Sequence, residues 1–250
     1  MKPGRIFIGT SGWHYPHWVG PFYPKKLPGS DFLSFYTRYF HTVEINNTFY
    51  HLPSLEALNA WREETPKDFL FSCKASRFIT HMKKLKDPEQ SIQKFFQAIQ
   101  ELRPKLGPIL FQLPPRWKLN VERLDRFLRT LPQQHRYAFE FRDESWFHPE
   151  SYDLLTRHGA SLCLYHLAGR VAPIEITAGF VYIRLHGPGG SYQGRYGLKG
   201  LRLWGHRCVE WSQIGKDVYC YFDNDEAGYA VKDALALQNL IGRIIEKGEK

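Results

Sequence analysis

The sequence predicts an α/β protein, a single (β/α)8 TIM-type barrel over residues 1–250. Three observations lead to this fold class. Short apolar runs rich in β-branched and aromatic residues recur along the chain, the apolar spacing changes from two to 3.6 residues between most of them, and these runs number eight. Because parallel neighbours need crossover connections, strands that alternate with helices imply a parallel sheet, and eight such units match a barrel.

The predicted strands share a high content of Val, Ile, Phe and Tyr. They are residues 5–10, 42–46, 69–74, 108–113, 136–141, 160–165, 180–186 and 217–222. Amphipathic helices follow most of them, as the spacing of Ile92, Phe95 and Ile99 indicates. The sixth unit is the weak one, because residues 167–179 leave little room for a helix and Pro173 interrupts them.

Start signals and the absence of a linker complete the prediction of one barrel domain. Asp87 followed by Pro88 is typical of a cap and a first helical residue, and apolar positions over 231–245 predict the last helix. A doubly wound open sheet is the alternative fold. It is disfavoured because residues 9–13, after the first strand, lack the G-x-G-x-x-G phosphate motif.

Composition excludes several classes of protein. A 16% aromatic share with 24% charged residues is atypical of disordered chains. No signal-like or membrane-length apolar run occurs, so we expect a cytoplasmic protein without a membrane partner. The formal charge of +9 favours anionic partners. The four cysteines form no C-x-x-C pair and are expected to be buried and reduced: Cys73, Cys163, Cys208 and Cys220.

Polar side chains alternate with apolar ones at the carboxyl ends of the predicted strands. Residues two apart share one face of a strand, so Glu44 and Asn46 lie on one face, which we expect to be the barrel axis. The same rule places the following residues inside: Lys74, Gln112, Glu140, Arg142, Arg184 and His186. In the last strand the pattern leaves open whether Asp223 or Asn224 points inward.

Two interpretations account for these inward charges. Uncompensated charges inside a barrel cost several kcal/mol each, so they must pair with one another, meet water or meet a ligand. A ring of mutually paired side chains that plugs the barrel is the structural interpretation. An active site is the favoured one, because barrel active sites lie at this end and five strands contribute residues there.

The loop over residues 186–197 carries several glycines, which expose backbone N–H groups. It also contains Tyr192 and Arg195, whose guanidinium suits a phosphate or a carboxylate. Loops at this position of a barrel often hold phosphate. We therefore expect either a mobile lid that closes over an anion or an ordinary surface loop.

The loop over residues 12–24 is too aromatic for a passive connection. Its tryptophans, Trp13 and Trp18, either pack over the barrel mouth, which is the favoured interpretation, or provide a stacking surface for a base or a sugar. Residues 48–51, which follow the second strand and include Tyr50, have the same two interpretations.

Eight short stretches together resemble the YecE-like domain of unknown function family, domain of unknown function 72. They are residues 9–13 with 18–24, 44–50, 69–74, 112–115, 140–146, 184–187 and 221–225. The resemblance spans nearly the whole chain and implies a TIM-type barrel. It implies no reaction, because the activity of that family is not established. Asp223 stands where the family pattern leads us to expect Asn.

The leading hypothesis is a metal-independent enzyme that acts on a small anionic, phosphorylated or sugar-like substrate. Glu44 and Glu140 are the acid and base, and Lys74 lowers the pKa of one of them or stabilises an oxyanion. The predicted catalytic residues are Glu44, Lys74, Glu140, His186 and Asp223. The predicted substrate-binding residues are Trp13, Asn46, Tyr50, Gln112, Arg142, Arg184, Tyr192, Arg195 and Asn224.

Two other classes of function stay open. One is a nucleic-acid-binding, phosphodiesterase-like barrel, with a divalent metal on His186, Glu44, Glu140 and Asp223. The absence of an H-x-x-x-H pair and the presence of several cations disfavour that metal, so no cofactor is predicted. The other is a barrel that binds a metabolite without chemistry.

Overall fold

The computed structural model describes residues 2–247, in which strands and helices alternate as predicted. The strands are β1 (Ile6–Thr10), β2 (Thr42–Ile45), β3 (Leu70–Lys74), β4 (Leu106–Gln112), β5 (Tyr137–Glu140), β6 (Ser161–Leu167), β7 (Arg170–Val171), β8 (Phe180–Leu185) and β9 (Asp217–Phe222). The helices are α1 (Phe32–Tyr36), α2 (Leu55–Glu64), α3 (Glu89–Ile99), α4 (Val121–Thr130), α5 (Pro149–Arg157), α6 (Leu198–Gln213) and α7 (Tyr229–Lys247). The strand order is β1-β9-β8-β6-β5-β4-β3-β2, with β7 paired to β6.

Predicted and observed element boundaries differ by at most two residues for every strand. No helix lies between β6 and β8, where β7 and irregular backbone occupy the sixth connection, as expected from the sequence. The start of α3 differs in detail. Pro88 precedes the first helical residue, Glu89, because Asp87 adopts a positive φ of 42° and the backbone becomes helical only after the proline.

The chain divides into two compact units. Unit 1 comprises the chain up to Val43, residues 164–172, and the chain from Phe180 onward. Unit 2 comprises residues 44–163 and 173–179. Strands β2 and β6 therefore contribute residues to both units, and each unit is described by itself below.

Unit 1 is built on β1, β9 and β8, which pair in parallel. Ile6 lies opposite Val218, and Phe180 lies opposite Asp217. The pairing extends past the strand ends, since the N–H of Asp223 donates to the carbonyl of Leu185 at 2.9 Å. This last bond fixes the backbone that carries the polar residues after β9.

Unit 2 is built on β3, β4, β5 and the first residues of β6, again in parallel. Its apolar strand residues pack against helices, as the alternation predicts. Phe111 and Phe139 stack with ring centroids 5.3 Å apart, and Phe127 of α4 packs edge-on against both. The opposite parity on these strands carries Gln112 and Glu140, which are Cα partners in the parallel register.

The expectation for the cysteines is met. All four cysteines are buried and form no disulfide: Cys73, Cys163, Cys208 and Cys220. Within residues 2–247, no helix is both long and apolar enough to cross a membrane.

Candidate functional site

In unit 2, polar side chains gather where β2 and β3 end. The hydroxyl of Thr48 donates to the carbonyls of Ile45, at 3.0 Å, and Lys74, at 2.7 Å, which ties the two strand ends together. Lys74 is only 8% exposed, and its Nζ lies 4.3 Å from the centroid of the Phe49 ring. A cation this close to an aromatic face is stabilised by the ring quadrupole, so the ammonium group is held in one place.

Glu140 and Arg142 form a buried ion pair at the end of β5. The Nε of Arg142 donates to Oε1 of Glu140, and the side chains are 9% and 0% exposed. The other carboxylate oxygen, Oε2, lies 3.8 Å from the Sγ of Cys163. The carboxylate therefore orients the guanidinium at the carboxyl edge of the sheet.

A second buried carboxylate, Glu44, lies on β2. Its charge is the second cause, after burial, that raises the pKa of the Cys73 thiol above its ordinary value. Cys73 is therefore an inert thiol beside a carboxylate and not a nucleophile.

His81 belongs to the same region, although the sequence did not single it out. It lies in a π-helical turn after β3, Phe78–Met82, and its ring packs edge-on against Phe49 with centroids 4.9 Å apart. Single π-helical turns are frequent at functional sites. The signal in the sequence was its position directly after a strand that ends in an inward lysine.

The protonation state of His81 follows from its contacts. Burial comes first, followed by the charges of Lys74, Arg77 and Arg142, and together they lower its pKa to about 4, against the opposing effect of Glu140. Nδ1 of His81 lies 2.9 Å from the hydroxyl of Thr80, which fixes the orientation of the ring. With a pKa of about 4, His81 is neutral at pH 7.

Two side-chain amides of unit 2 have an unsatisfied oxygen. Among residues 2–247, no hydrogen-bond donor reaches Oδ1 of Asn46 or Oε1 of Gln112, although both atoms are buried. Asn46 follows β2 and Gln112 ends β4, so both lie at the carboxyl edge that carries Lys74 and Arg142. Buried acceptors normally have a donor, so these two atoms require an explanation.

In unit 1, the residues after β8 and β9 form a closed hydrogen-bonded triangle. Oδ2 of Asp223 accepts from Nη2 of Arg184 at 3.0 Å and from Nδ1 of His186 at 3.1 Å. Nε2 of His186 lies 3.3 Å from Nη1 of Arg184, which closes the triangle. Asp223, and not Asn224, therefore lies on the same face of the sheet as Arg184. The alternation of residues in the last strand had left this point open.

A second carboxylate of unit 1, Asp225, is held by the aromatic loop. It accepts from Nε1 of Trp18 at 2.8 Å and pairs with Nε2 of His17 at 2.9 Å. Burial raises the pKa of Asp225, the Trp18 and His17 contacts lower it, and the charge of Asp223 adds a smaller rise. Trp18 is fully buried and Trp13 nearly so, which supports the packing interpretation of this loop.

The glycine-rich loop after β8 is fixed by hydrogen bonds to unit 1. At Gly187, where φ is +114°, a Cβ would lie 2.2 Å from the carbonyl oxygen of Gln193, so only glycine fits this fold-back. Nδ2 of Asn224 donates to Gly194 and to the carboxylate of Asp233, at 2.9 and 2.8 Å. Arg195, with its side chain 60% exposed, lies 3.4 Å from the same carboxylate.

A cleft of about 460 Å³ lies between these loops of unit 1. Its lining is acidic and aromatic: Tyr15, His17, Ser191, Tyr192, Gln193, Asp223, Asp225 and Glu226. Asp223 thus lines the cleft, and its Oδ2 is hydrogen-bonded to Arg184 and His186. The acidic lining contrasts with the net positive field around His81 in unit 2.

The predicted site residues are thus divided between the units. Unit 2 brings together the set at the ends of β2 to β5: Glu44, Asn46, Lys74, Gln112, Glu140 and Arg142. Tyr50 belongs to unit 2 as well but is 62% exposed. Unit 1 holds the remaining set: Trp13, Arg184, His186, Tyr192, Arg195, Asp223 and Asn224. His81, Asp225 and Asp233 also belong to these clusters, although no pattern in the sequence singled them out as site residues.

In the part of the chain that the structure describes, no group of three or more His, Cys, Asp or Glu side chains is arranged to hold a metal ion.

The fold and these strand-end clusters define an α/β protein of the TIM-barrel class, and comparison with known proteins agrees. The structure superposes on a DUF72 family protein of Thermotoga maritima with a TM-score of 0.87 and 29% identity, over 95% of this chain and 99% of that one. The predicted (β/α)8 TIM-type barrel is confirmed. The family model described as protein of unknown function DUF72 matches residues 7–249, so the chain belongs to the DUF72 family.

Curated relatives carry names without an activity. The chain is 34% identical to the protein YecE of Escherichia coli over 143 residues, which are 57% of this chain and 50% of YecE. That match spans about half the length of the relative. This chain is also 28% identical to YunF of Bacillus subtilis, and that match covers 94% of each of the two chains. The family and the fold follow from these comparisons, and the reaction does not.

Proposed function

We propose that the protein is an enzyme that applies acid–base catalysis to a small anionic substrate at the carboxyl ends of β2 to β5. The observation that carries this proposal is Lys74, a nearly buried cation held over the Phe49 ring beside the Glu140–Arg142 pair. Taking an ammonium group out of water costs several kcal/mol. A fold retains such a group where its charge is used.

The anion is bound by the two cationic side chains. Lys74 provides a point charge, and the guanidinium of Arg142, oriented by Glu140, provides N–H donors in a plane that matches a carboxylate or a phosphate. The charges of Lys74 and Arg142 also lower the pKa of His81 and so help to keep its ring neutral. At His81 the positive charges outweigh that of Glu140, and a local field of this sign favours an anionic substrate.

Proton transfer is assigned to side chains that touch this binding region. Glu140 is the carboxylate that exchanges a proton with the substrate, and Glu44 is the second carboxyl group of the cluster. Lys74 stabilises negative charge that develops on the substrate. His81 contributes a neutral imidazole, whose unprotonated nitrogen accepts a hydrogen bond from a substrate hydroxyl.

The test is isotope exchange in deuterated water. The wild-type protein is incubated with a panel of small phosphorylated and carboxylated hydroxy compounds, and carbon-bound hydrogen is followed by proton NMR. We expect exchange or conversion of at least one anionic compound and none of the neutral analogues.

The control for this experiment is Glu140→Gln, which keeps the size of the side chain and removes the base. It should leave the circular dichroism spectrum unchanged and abolish exchange. Full turnover by Glu140→Gln would eliminate its role, and turnover of neutral compounds alone would eliminate the anionic substrate.

A further inference from the structure

We propose that the substrate carries hydrogen-bond donors, hydroxyl or amino groups, on both sides of its anionic group, as in a polyhydroxylated phosphate ester or carboxylate. This inference rests on the proposed function and specifies the ligand of the same site. Its basis is the pair of amides that flank Lys74, namely Asn46 and Gln112.

Gln112 provides the stronger of the two observations. The residue is 8% exposed, ends β4 and lies in register with Glu140 of the neighbouring strand. Its side chain makes no hydrogen bond with any residue from 2 to 247, and its Oε1 is buried. An amide oxygen can only accept, so what it lacks is a donor, and we assign that donor to the ligand.

Asn46 repeats the arrangement on the other side of Lys74. It follows β2 at the start of a short turn, where its backbone carbonyl accepts from the N–H of Phe49 at 3.1 Å. Its side chain does not cap this turn, although asparagine is well suited to do so. The buried Oδ1 is therefore left for another donor.

The strand order determines how the two acceptors are arranged. Strands β2, β3 and β4 are neighbours, so the residues that follow or end β2 and β4 flank the one that ends β3. Adjacent strands lie about 4.8 Å apart, which places the two acceptors roughly 10 Å apart at the backbone. A small polyol chain with a central or terminal anionic group spans such a distance.

Other unsatisfied amides in the chain differ from these two. Asn224 is fixed by two hydrogen bonds from its Nδ2, so its unpaired Oδ1 accompanies a structural role. Asn59 has an unpaired Oδ1 but lies in α2, away from the carboxyl edge of the strands. Asn59 therefore provides a matched control.

Acceptors of this kind select for hydroxyl groups against both oxo groups and plain methylene groups. A ketone or carboxylate oxygen placed against an amide oxygen is repelled, and a methylene leaves the acceptor unpaired. A site built to hydrogen-bond a substrate hydroxyl rejects analogues without it by large factors. We expect a preference of at least about tenfold from one such bond.

Isothermal titration calorimetry with three probes tests this inference: inorganic phosphate, ribose 5-phosphate and pentyl phosphate. The wild-type protein should bind all three, with ribose 5-phosphate at least about tenfold tighter than pentyl phosphate. Gln112→Leu should lose most of that preference and keep its affinity for inorganic phosphate. Asn59→Leu should match the wild type with every probe.

The outcomes separate this inference from the proposed function. Equal affinity of the wild type for ribose 5-phosphate and pentyl phosphate overturns the inference alone, since anions still bind. Absence of phosphate binding overturns both. If Gln112→Leu does not fold, as judged by circular dichroism, Gln112→Met is measured in its place, because it keeps the length of the side chain.

Discussion

Two regions at the ends of strands use similar residue types in opposite ways. In unit 1, Arg184, His186 and Asp223 are hydrogen-bonded to one another, and the neighbouring cleft is acidic. In unit 2, Lys74 and Arg142 create a positive field, and two buried amide oxygens beside them have no partner among residues 2–247. Polar groups that satisfy one another hold a fold together, whereas we assign the unpaired acceptors at the strand ends of unit 2 to ligand binding.

The difference gives a criterion for dividing a set of inward polar residues. Removing a charged side chain that is hydrogen-bonded or ion-paired to its neighbours should lower the free energy of unfolding. A polar side chain that lacks a partner should cost binding when removed and little or no stability. Each prediction below applies this criterion to one of the two regions.

The largest effect on stability is expected in unit 1. Arg184→Met leaves Asp223 and His186 without their common partner, and breaking a buried ion pair in this way costs about 3–5 kcal/mol. Urea unfolding followed by circular dichroism measures the loss.

The control is Arg195→Met, because Arg195 is largely exposed and pairs with Asp233 at 3.4 Å. Its cost should stay below about 1 kcal/mol. A loss of less than 1 kcal/mol for Arg184→Met would mean that the triangle of unit 1 is not a structural element.

In unit 2 we expect a substitution that increases the free energy of unfolding. Gln112→Leu removes a buried oxygen that lacks a donor, and such an oxygen costs about 1–3 kcal/mol. We expect the free energy of unfolding of the ligand-free protein to rise by about 1 kcal/mol, measured by urea unfolding at pH 7. A clear loss of stability would show that the amide has a structural role.

We expect a smaller effect from the protonation of His81, which makes the free energy of unfolding depend on pH. Its pKa is about 4 in the folded state and 6.5 in the unfolded state, so between these values only the unfolded chain binds the proton. Lowering the pH through this window therefore destabilises the wild type relative to His81→Asn. We expect about 1 kcal/mol between pH 7 and pH 4.5, less than the full shift because the ring is partly exposed.

The smallest effect is the reverse pH dependence of Asp225. Its folded pKa is raised above the ordinary 3.8, so the folded state holds the proton longer, and stability falls as the pH rises through that interval. Asp225→Asn should remove this slope, as measured by urea unfolding at several pH values from 3.5 upward. A slope of the same sign as that of His81 would contradict the difference between the two regions.

The fold was predictable from the sequence because its signals are local and repeated. Strand boundaries, the missing sixth helix and the face that carries Glu44, Gln112 and Glu140 all follow from apolar spacing. For the site, the sequence predicted which strands end in polar residues, and it did not predict which of those residues contact one another. His81 lies in a π-helical turn that no periodicity signals, and hydrogen bonds between distant residues, such as that of Trp18 with Asp225, depend on tertiary structure.

The measurement that tests the central claim most directly is a titration with inorganic phosphate of the wild type, Lys74→Met and Lys83→Met. The two lysines are a matched pair, since Nζ of Lys74 lies 4.3 Å from the Phe49 centroid and Nζ of the exposed Lys83 lies 5.8 Å from that of Phe78. We predict that Lys74→Met weakens phosphate binding at least about tenfold and that Lys83→Met changes it less than about twofold. Equal, small effects of the two substitutions would contradict an anion site at the end of β3.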